Sequence, residues 1–465
     1  MNIMKNIVFE NGLFIFRRDL RIIDNNTLNI LNKICKNIYT IFIFTPEQVG
    51  ERNEYKSNNA VQFMIESIED LSKEITKSEG HLYTFYGKNN TIIEECIKKF
   101  DINIVAFNYD ITPYSRERDD QIIELCNKYN ILTLYENDYY LHQPGKIKNG
   151  TGNPYKKFTP YYNVAVKMPV QKPENKHFIH FANTKLQLAN KITLTEAKKR
   201  FLKNKLNPNI LVHGGRDNAI KQMLTASNNI KQYNNTRDDL TKKTSQLSAY
   251  IKFGCISIRE VYYNFKSIHS FIRQIIWRDF YAQILYFFPY TLEHALKINY
   301  DKIKWKHNTK WFDDWKKGET GFPIVDACMR ELNTTGYMHN RGRMIVSIFL
   351  VKTLLISWKY GAQYFSQKLT DYSPENNQLN WQTSASIGSD SQSYFRIINP
   401  WIQQKEHDKD CEYIKIWIPE LREVPIDIIH NWDTKWREYK KINYPKPICD
   451  YKEQKEKAIQ MYKNV

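Results

Sequence analysis

One change of pattern constrains this sequence more than any other feature. Up to residue 135, short apolar or β-branched runs at 13–16, 39–44, 81–86, 102–107 and 131–135 alternate with stretches such as 59–77 and 116–129, where apolar residues recur every three to four positions. The runs have strand length and the stretches have the helical period. Their alternation predicts an α/β domain over residues 1–135, a doubly wound parallel sheet with helices on both faces. Past that point the strand signal ends. All ten tryptophans fall at or after Trp277, and amphipathic helical periods continue to the C-terminus, which predicts an aromatic-rich, all-α domain over 207–465. Residues 136–206 hold Pro144, Gly150, Gly152, Pro154, Pro160, Pro169 and Pro173 with an excess of lysine, and read as an inter-domain connector.

Charge narrows the partners. Lys+Arg 68 against Asp+Glu 50 leaves +18, an excess that suits nucleic acid or an anionic membrane surface. The membrane option is weak. The longest apolar stretch, 344–358, carries Lys352 in its middle and is too short to span, and the N-terminus lacks the apolar core of a signal peptide. Seven scattered cysteines without a C-x-x-C pair read as reduced thiols of an intracellular, soluble protein, with nucleus and cytoplasm equally compatible. His177 and His180 have no acidic or cysteine company at ligand spacing, so they read as a loop pair and no metal is expected. The α/β part has neither a G-x-G-x-x-G turn nor a P-loop, the usual dinucleotide and triphosphate signatures.

Two helical faces carry chemistry. Gln274, Trp277, Arg278 and Tyr281 share one face at i, i+3, i+4 and i+7. Aromatics interleaved with an amide and a guanidinium suit a cavity wall that stacks on a base and holds an anion. The same spacing equally describes a helix with a buried tryptophan and a satisfied arginine. Asn340, Arg343, Met344 and Ser347 share a second face near a basic helix start, which alone reads more readily as a solvated terminus than as a phosphate site.

Longer motifs carry a resemblance. Residues 16–25 (FRRDLRIIDN), 155–162 (YKKFTPYY), 315–344 (WKKGETGFPIVDACMRELNTTGYMHNRGRM) and 381–400 (WQTSASIGSDSQSYFRIINP) resemble, in the same order, the opening strand, connector and flavin-domain core of the photolyase/cryptochrome flavoproteins. Class I cyclobutane pyrimidine dimer (CPD) photolyases are the most similar subgroup. The resemblance implies an N-terminal α/β domain and a helical domain holding FAD in a folded conformation. It places flavin contacts at Tyr233, Thr244, Ser245, Gln246, Leu247, Ser248, Arg343, Asp371, Tyr372 and Ser373, and Asn377 beside flavin N5. Hydroxyls at Thr244, Ser245 and Ser248 ahead of a helical run also suit a pyrophosphate, although such clusters cap ordinary helices too. Trp381, Trp358 and Trp305 occupy the positions of the family's electron-transfer chain.

The implied partner is UV-damaged DNA, bound by a monomer, with the lesion extruded over the flavin. Gln274, Trp277, Tyr281, Asn340, Met344 and Thr383 would face the lesion, and Arg237, Arg278, Arg341 and Arg396 are either DNA-side cations or ion-paired surface arginines. Several residues depart from the family pattern. Gln274 replaces a glutamate that can protonate the lesion, Thr383 a stacking tryptophan, and Gln246 an arginine. Asn340 and Met344 stand where (6-4) photolyases place two histidines, and His339, one residue along the helix, would point about 100° away. An antenna chromophore, folate or deazaflavin, is common in the family, and Ser115 replaces the glutamate of the folate-binding type. A cryptochrome-like photoreceptor is the competing reading; the absence of a long tail after the flavin domain, together with Asn377, argues for the enzyme. A DNA-binding flavoprotein without efficient repair is a third.

Overall fold

The computed structural model describes residues 8–175, 178–184, 187–391, 393–439 and 441–465, so His177 lies outside the described residues. Five strands, β1 (Phe9–Phe16), β2 (Cys35–Phe44), β3 (Leu82–Tyr86), β4 (Ile104–Asn108) and β5 (Leu132–Glu136), form one parallel sheet in the order β3-β2-β1-β4-β5. Alternate residues feed opposite faces. Leu13, Ile15, Ile41 and Val105 pack against the helices Asn89–Phe100 and Pro113–Lys128. Phe14, Phe16, Phe42 and Ala106 pack against Asn26–Ile34 and Asn58–Lys77. Burial on both faces is why the strands read as nearly continuous apolar runs.

The sheet is longer at one end than the pattern predicts. β2 starts at Cys35, and its exposed Lys36 and half-buried Asn37 carry no apolar signal, yet Asn37 pairs with Asn11 of β1. The Pro113–Lys128 helix also starts early, because Thr112 accepts from the Ser115 N–H and proline fits the first turn. Strand order reverses between β1 and β4, which opens a crevice at the C-terminal strand ends.

The connector is not a free tether. It contains the helices Phe158–Ala165 and Leu194–Leu202 and folds back along the sheet, where the Ile38 N–H donates to the His180 carbonyl (2.7 Å) and Ala182 donates to Ile38 (2.9 Å). Gly80 permits this approach, since a Cβ there would lie 2.5 Å from that of Phe181.

Apolar packing crosses the whole molecule. The Phe14 side of the sheet continues into Leu247, Tyr250, Phe253, Ile276 and Phe280 of the helical part. A second cluster gathers Trp315, Trp358, Trp381 and Trp432 among the later helices. Charge ties the two halves as well. Arg259 holds Asp24 (3.0 Å) and Asp138 (2.8 Å), and Arg21 holds Asp138, all four side chains being buried. Burial alone would raise the Asp138 carboxyl, but the two guanidinium groups hold it below the usual range. Among the described residues no helix is long and apolar enough to cross a membrane, and no group of three or more His, Cys, Asp or Glu could hold a metal ion.

Candidate active site

A cleft of about 1090 Å³ of open space, mouth included, lies between the 233–248 segment and the helices Asn340–Lys352, Trp358–Lys368 and Pro374–Ser384. Tyr233, Thr244, Ser245, Gln246, Leu247, Ser248, Arg343, Asp371, Tyr372, Ser373 and Asn377 all line it, as do Arg237, Asn340, Met344 and Trp381. Hydroxyls crowd one end. Thr244 Oγ1 lies 3.2 Å from the Tyr337 hydroxyl, and Ser245 is held from below by Gln222, which donates to its carbonyl (2.8 Å). Gln246 adopts φ +53°, which turns the chain sharply into the Ser248–Phe253 helix.

Side-chain hydrogen bonds tie the middle of the cleft together. Arg343 donates through Nε to the Met338 carbonyl (2.9 Å) and through Nη2 to both oxygens of Asp371 (3.1 and 2.9 Å). Burial works against the Arg343 charge, but Asp371 more than compensates and raises its pKa. Asn377 spends both amide hydrogens, on the Ala362 carbonyl (2.9 Å) and on Gln378 Oε1 (3.1 Å). Its Oδ1 is left as an acceptor at the cleft wall. Trp381 sits edge-on to Phe365 (5.0 Å) and Trp315 (6.2 Å), and its ring packs over Gly361. At the mouth Asn340 Nδ2 lies 3.9 Å from the Met344 sulfur, and Ser347 bonds Ser384 (2.7 Å).

Other predicted residues fall outside the lining. Trp277 stacks flat on Phe158 of the connector (3.6 Å, 9°). Tyr281 is buried, and its hydroxyl, pushed up to about 12 by burial, lies 3.3 Å from both Asn380 and Thr383. Thr383 donates its hydroxyl to the Leu379 carbonyl (2.8 Å), and among the described residues Gln274 bonds its own helix at Ser270 (3.4 Å). Arg278 points inward: it donates to the Tyr139 carbonyl (2.6 Å) and covers the Tyr140 ring, so it is not a solvent-facing cation. Arg341 pairs with Asp238 (2.9 Å), whereas Arg396 is exposed. Trp358 is buried in the cluster that holds Trp381, and half-buried Trp305 packs against its edge. His339 is the N-cap of its helix, accepting from Arg341 N (3.1 Å), with burial lowering its pKa to about 4.

Sequence reasoning missed Tyr337, Phe365 and Asn380 in the cleft wall, and of a second cleft it pointed to Ser115 alone. That cleft occupies the crevice at the C-terminal strand ends and holds Arg17, Arg18, Arg118, Lys252, Tyr114, Ser115 and Tyr139. The arginine Nη2 atoms are buried: that of Arg118 pairs with Asp119 (2.9 Å), that of Arg18 lies 3.5 Å from Glu375, and that of Arg17 has no hydrogen-bond partner. Burial, with Arg18 nearby, lowers Lys252 to about 7. Tyr372 lines both clefts. The signal that could have found the crevice was the strand-order reversal.

Residues 13–176 match the family described as DNA photolyase, and residues 271–464 match the FAD binding domain of DNA photolyase. A deoxyribodipyrimidine photo-lyase of Alkalihalophilus pseudofirmus is 32% identical over 96% of this chain and 97% of its own length. A photolyase structure from Sulfolobus tokodaii, solved with two FAD molecules, is 35% identical with a TM-score of 0.88, covering 98% of this chain and all of its own. A Synechocystis cryptochrome structure shares the fold at 23% identity and a TM-score of 0.87, covering 98% and 99%. With a cleft built from the residues expected of a flavin site and relatives matched from end to end, the chain belongs to the DNA photolyase family, as an FAD-binding enzyme of the deoxyribodipyrimidine photo-lyase type.

Proposed function

We propose that this enzyme splits cyclobutane pyrimidine dimers in UV-damaged DNA. The observation that carries the lesion assignment is the Asn340–Met344 pair at the cleft mouth, 3.9 Å apart on one helical face. Repair of a (6-4) product demands proton traffic, and neither side chain can shuttle a proton. Opening a cyclobutane ring makes no such demand.

The cleft fits the cofactor. Hydroxyls of Thr244, Ser245 and Ser248 would hold the pyrophosphate, and the Arg343–Asp371 pair with Asn377 would meet the polar edge of the ring system. Bound FAD, reduced, would supply the light-driven electron that opens the dimer and then recover it. Asn377 Oδ1, pinned as an acceptor, matches a protonated ring nitrogen such as N5 of the reduced form. Trp381, Trp358 and Trp305 would carry electrons inward from the surface to restore that form, and Arg237 and Arg396 would meet DNA phosphates. The second cleft would hold an antenna chromophore. Arg17 Nη2, buried without a hydrogen-bond partner, with Arg18 and Arg118 beside it, suits an anionic group such as a nucleotide phosphate.

Purified protein with reduced flavin and a CPD-bearing oligonucleotide, compared in light and darkness, tests the proposal. Restored thymines in the light alone support the enzyme. Dimer binding without restoration would favour a photoreceptor or a non-repairing flavoprotein.

A further inference from the structure

The surface around Trp305 carries a feature that lesion repair does not use. Residues 302–306 run outward from the second apolar cluster, with Lys306 N–H donating to the Leu355 carbonyl (2.8 Å) and pinning the segment. Ile303 is buried and Trp305 half-buried, while Lys302, Lys304 and Lys306 are exposed. The three lysines line a groove between this segment and the C-terminal helix Tyr451–Lys463, together with Lys457, Glu453 and Glu456. Lys457 is paired with Glu453. Among the described residues none of the other three lysines has an ion-pair partner. Four lysines thus face two glutamates, and Trp305, between Lys304 and Lys306 in the chain but not itself in the groove lining, packs its ring at right angles to Tyr462 (6.2 Å, 90°).

We propose that this groove is a docking site for a small anionic one-electron donor that re-reduces Trp305. The inference rests on the reading of Trp305 as the outer end of the electron path. In the step itself the donor loses one electron to the oxidised Trp305 indole, the indole returns to its neutral closed-shell form, and the donor departs oxidised by one electron. No bond is made and no proton need move. Unpaired lysines raise the local concentration of an anion and speed its encounter by ten- to a thousandfold at low ionic strength, an advantage that salt removes.

The test is flash photolysis of the protein loaded with oxidised FAD, following decay of the tryptophan radical. Hexacyanoferrate(II) serves as the anionic probe and hydroxymethylferrocene as an uncharged one. Joint replacement Lys302→Glu, Lys304→Glu and Lys306→Glu should slow decay by hexacyanoferrate(II) at least tenfold at low salt, and the difference should close at high salt. The corresponding Lys→Gln triple variant should fall between. Decay by hydroxymethylferrocene should stay within twofold throughout, which also shows that Trp305 remains in place. A radical that forms but decays with hexacyanoferrate(II) at one rate in all three proteins would overturn the groove and leave the electron path standing. A long-lived radical unchanged by Trp305→Phe, or none at all, would overturn the path and the inference with it.

Discussion

Gly361 shows how much one missing methyl decides. A Cβ at this position would lie 2.2 Å from Trp381 Cη2 and 2.6 Å from a Leu350 methyl, so glycine alone lets the indole lie against its helix. Gly361→Ala should cost about 1–3 kcal/mol by overpacking, and the displaced Trp381 should slow photoreduction of bound FAD. An unchanged melting temperature and photoreduction rate would show that the contact has room to relax. Thr383 is the opposite case, a small residue whose hydroxyl lies within hydrogen-bond reach of the Leu379 and Ser389 carbonyls and of Tyr281. Thr383→Trp should tighten CPD binding by about 1.4 kcal/mol, tenfold, if the added ring stacks on the lesion; titration of damaged against undamaged oligonucleotide checks it. Single residues were legible unevenly. Asn340, Arg343, Met344 and Ser347 share a helical face by spacing, and all four line the cleft. Arg278 shares a face with Gln274 by the same logic, yet spacing says nothing about what covers that face. Here the connector does, and the Tyr139 carbonyl needs the guanidinium as a donor. His339 lies off the cleft as expected, but because it caps its helix rather than because it has turned around it.

At the scale of elements, helix joints depend on buried polar groups. Glu331, on the helix Pro323–Thr335, accepts from the Tyr413 hydroxyl (2.6 Å) of the helix Glu412–Trp417, and burial raises its pKa to about 7. The unfolded chain loses this proton near the ordinary carboxylate range of about 4.3. The folded state therefore binds more protons between those values, and the group's contribution to stability falls as pH rises towards 7, then levels. Glu331→Gln cannot titrate. Its melting temperature should gain on the wild type from about pH 5 to pH 7 and keep that advantage above; a difference independent of pH would show that Glu331 is ionised throughout. The elements themselves followed from periodicity, because five apolar runs and their intervening helices are buried on predictable faces. What escaped was set by partners distant in sequence: the N-terminal half of β2 exists because β1 offers a ladder, and His180 and Ala182 of the connector are held by bonds to Ile38 of the sheet.

Across the whole molecule the net charge of +18 is the property most directly tied to function. If DNA is held mainly through phosphates, log K should fall with log salt at about −0.9 per phosphate contacted. Fluorescence anisotropy with undamaged duplex between low and physiological salt measures the slope, and a flat response would remove electrostatic docking. The candidate cleft was legible in part because the motifs at 315–344 and 381–400 supply one side of its wall. The crevice at the strand ends was not, since Arg17 and Arg18, although inside a quoted motif, meet Arg118 and Lys252 from segments far apart in the chain. One measurement tests the lesion chemistry directly. The reduced protein is illuminated with two oligonucleotides, one carrying a single CPD and the other a single (6-4) product, and restored thymines are quantified. Light-dependent restoration from the CPD and none from the (6-4) product is the expected result. Restoration of the (6-4) substrate, or of neither with reduced FAD confirmed by its spectrum, would contradict the assignment drawn from Asn340 and Met344.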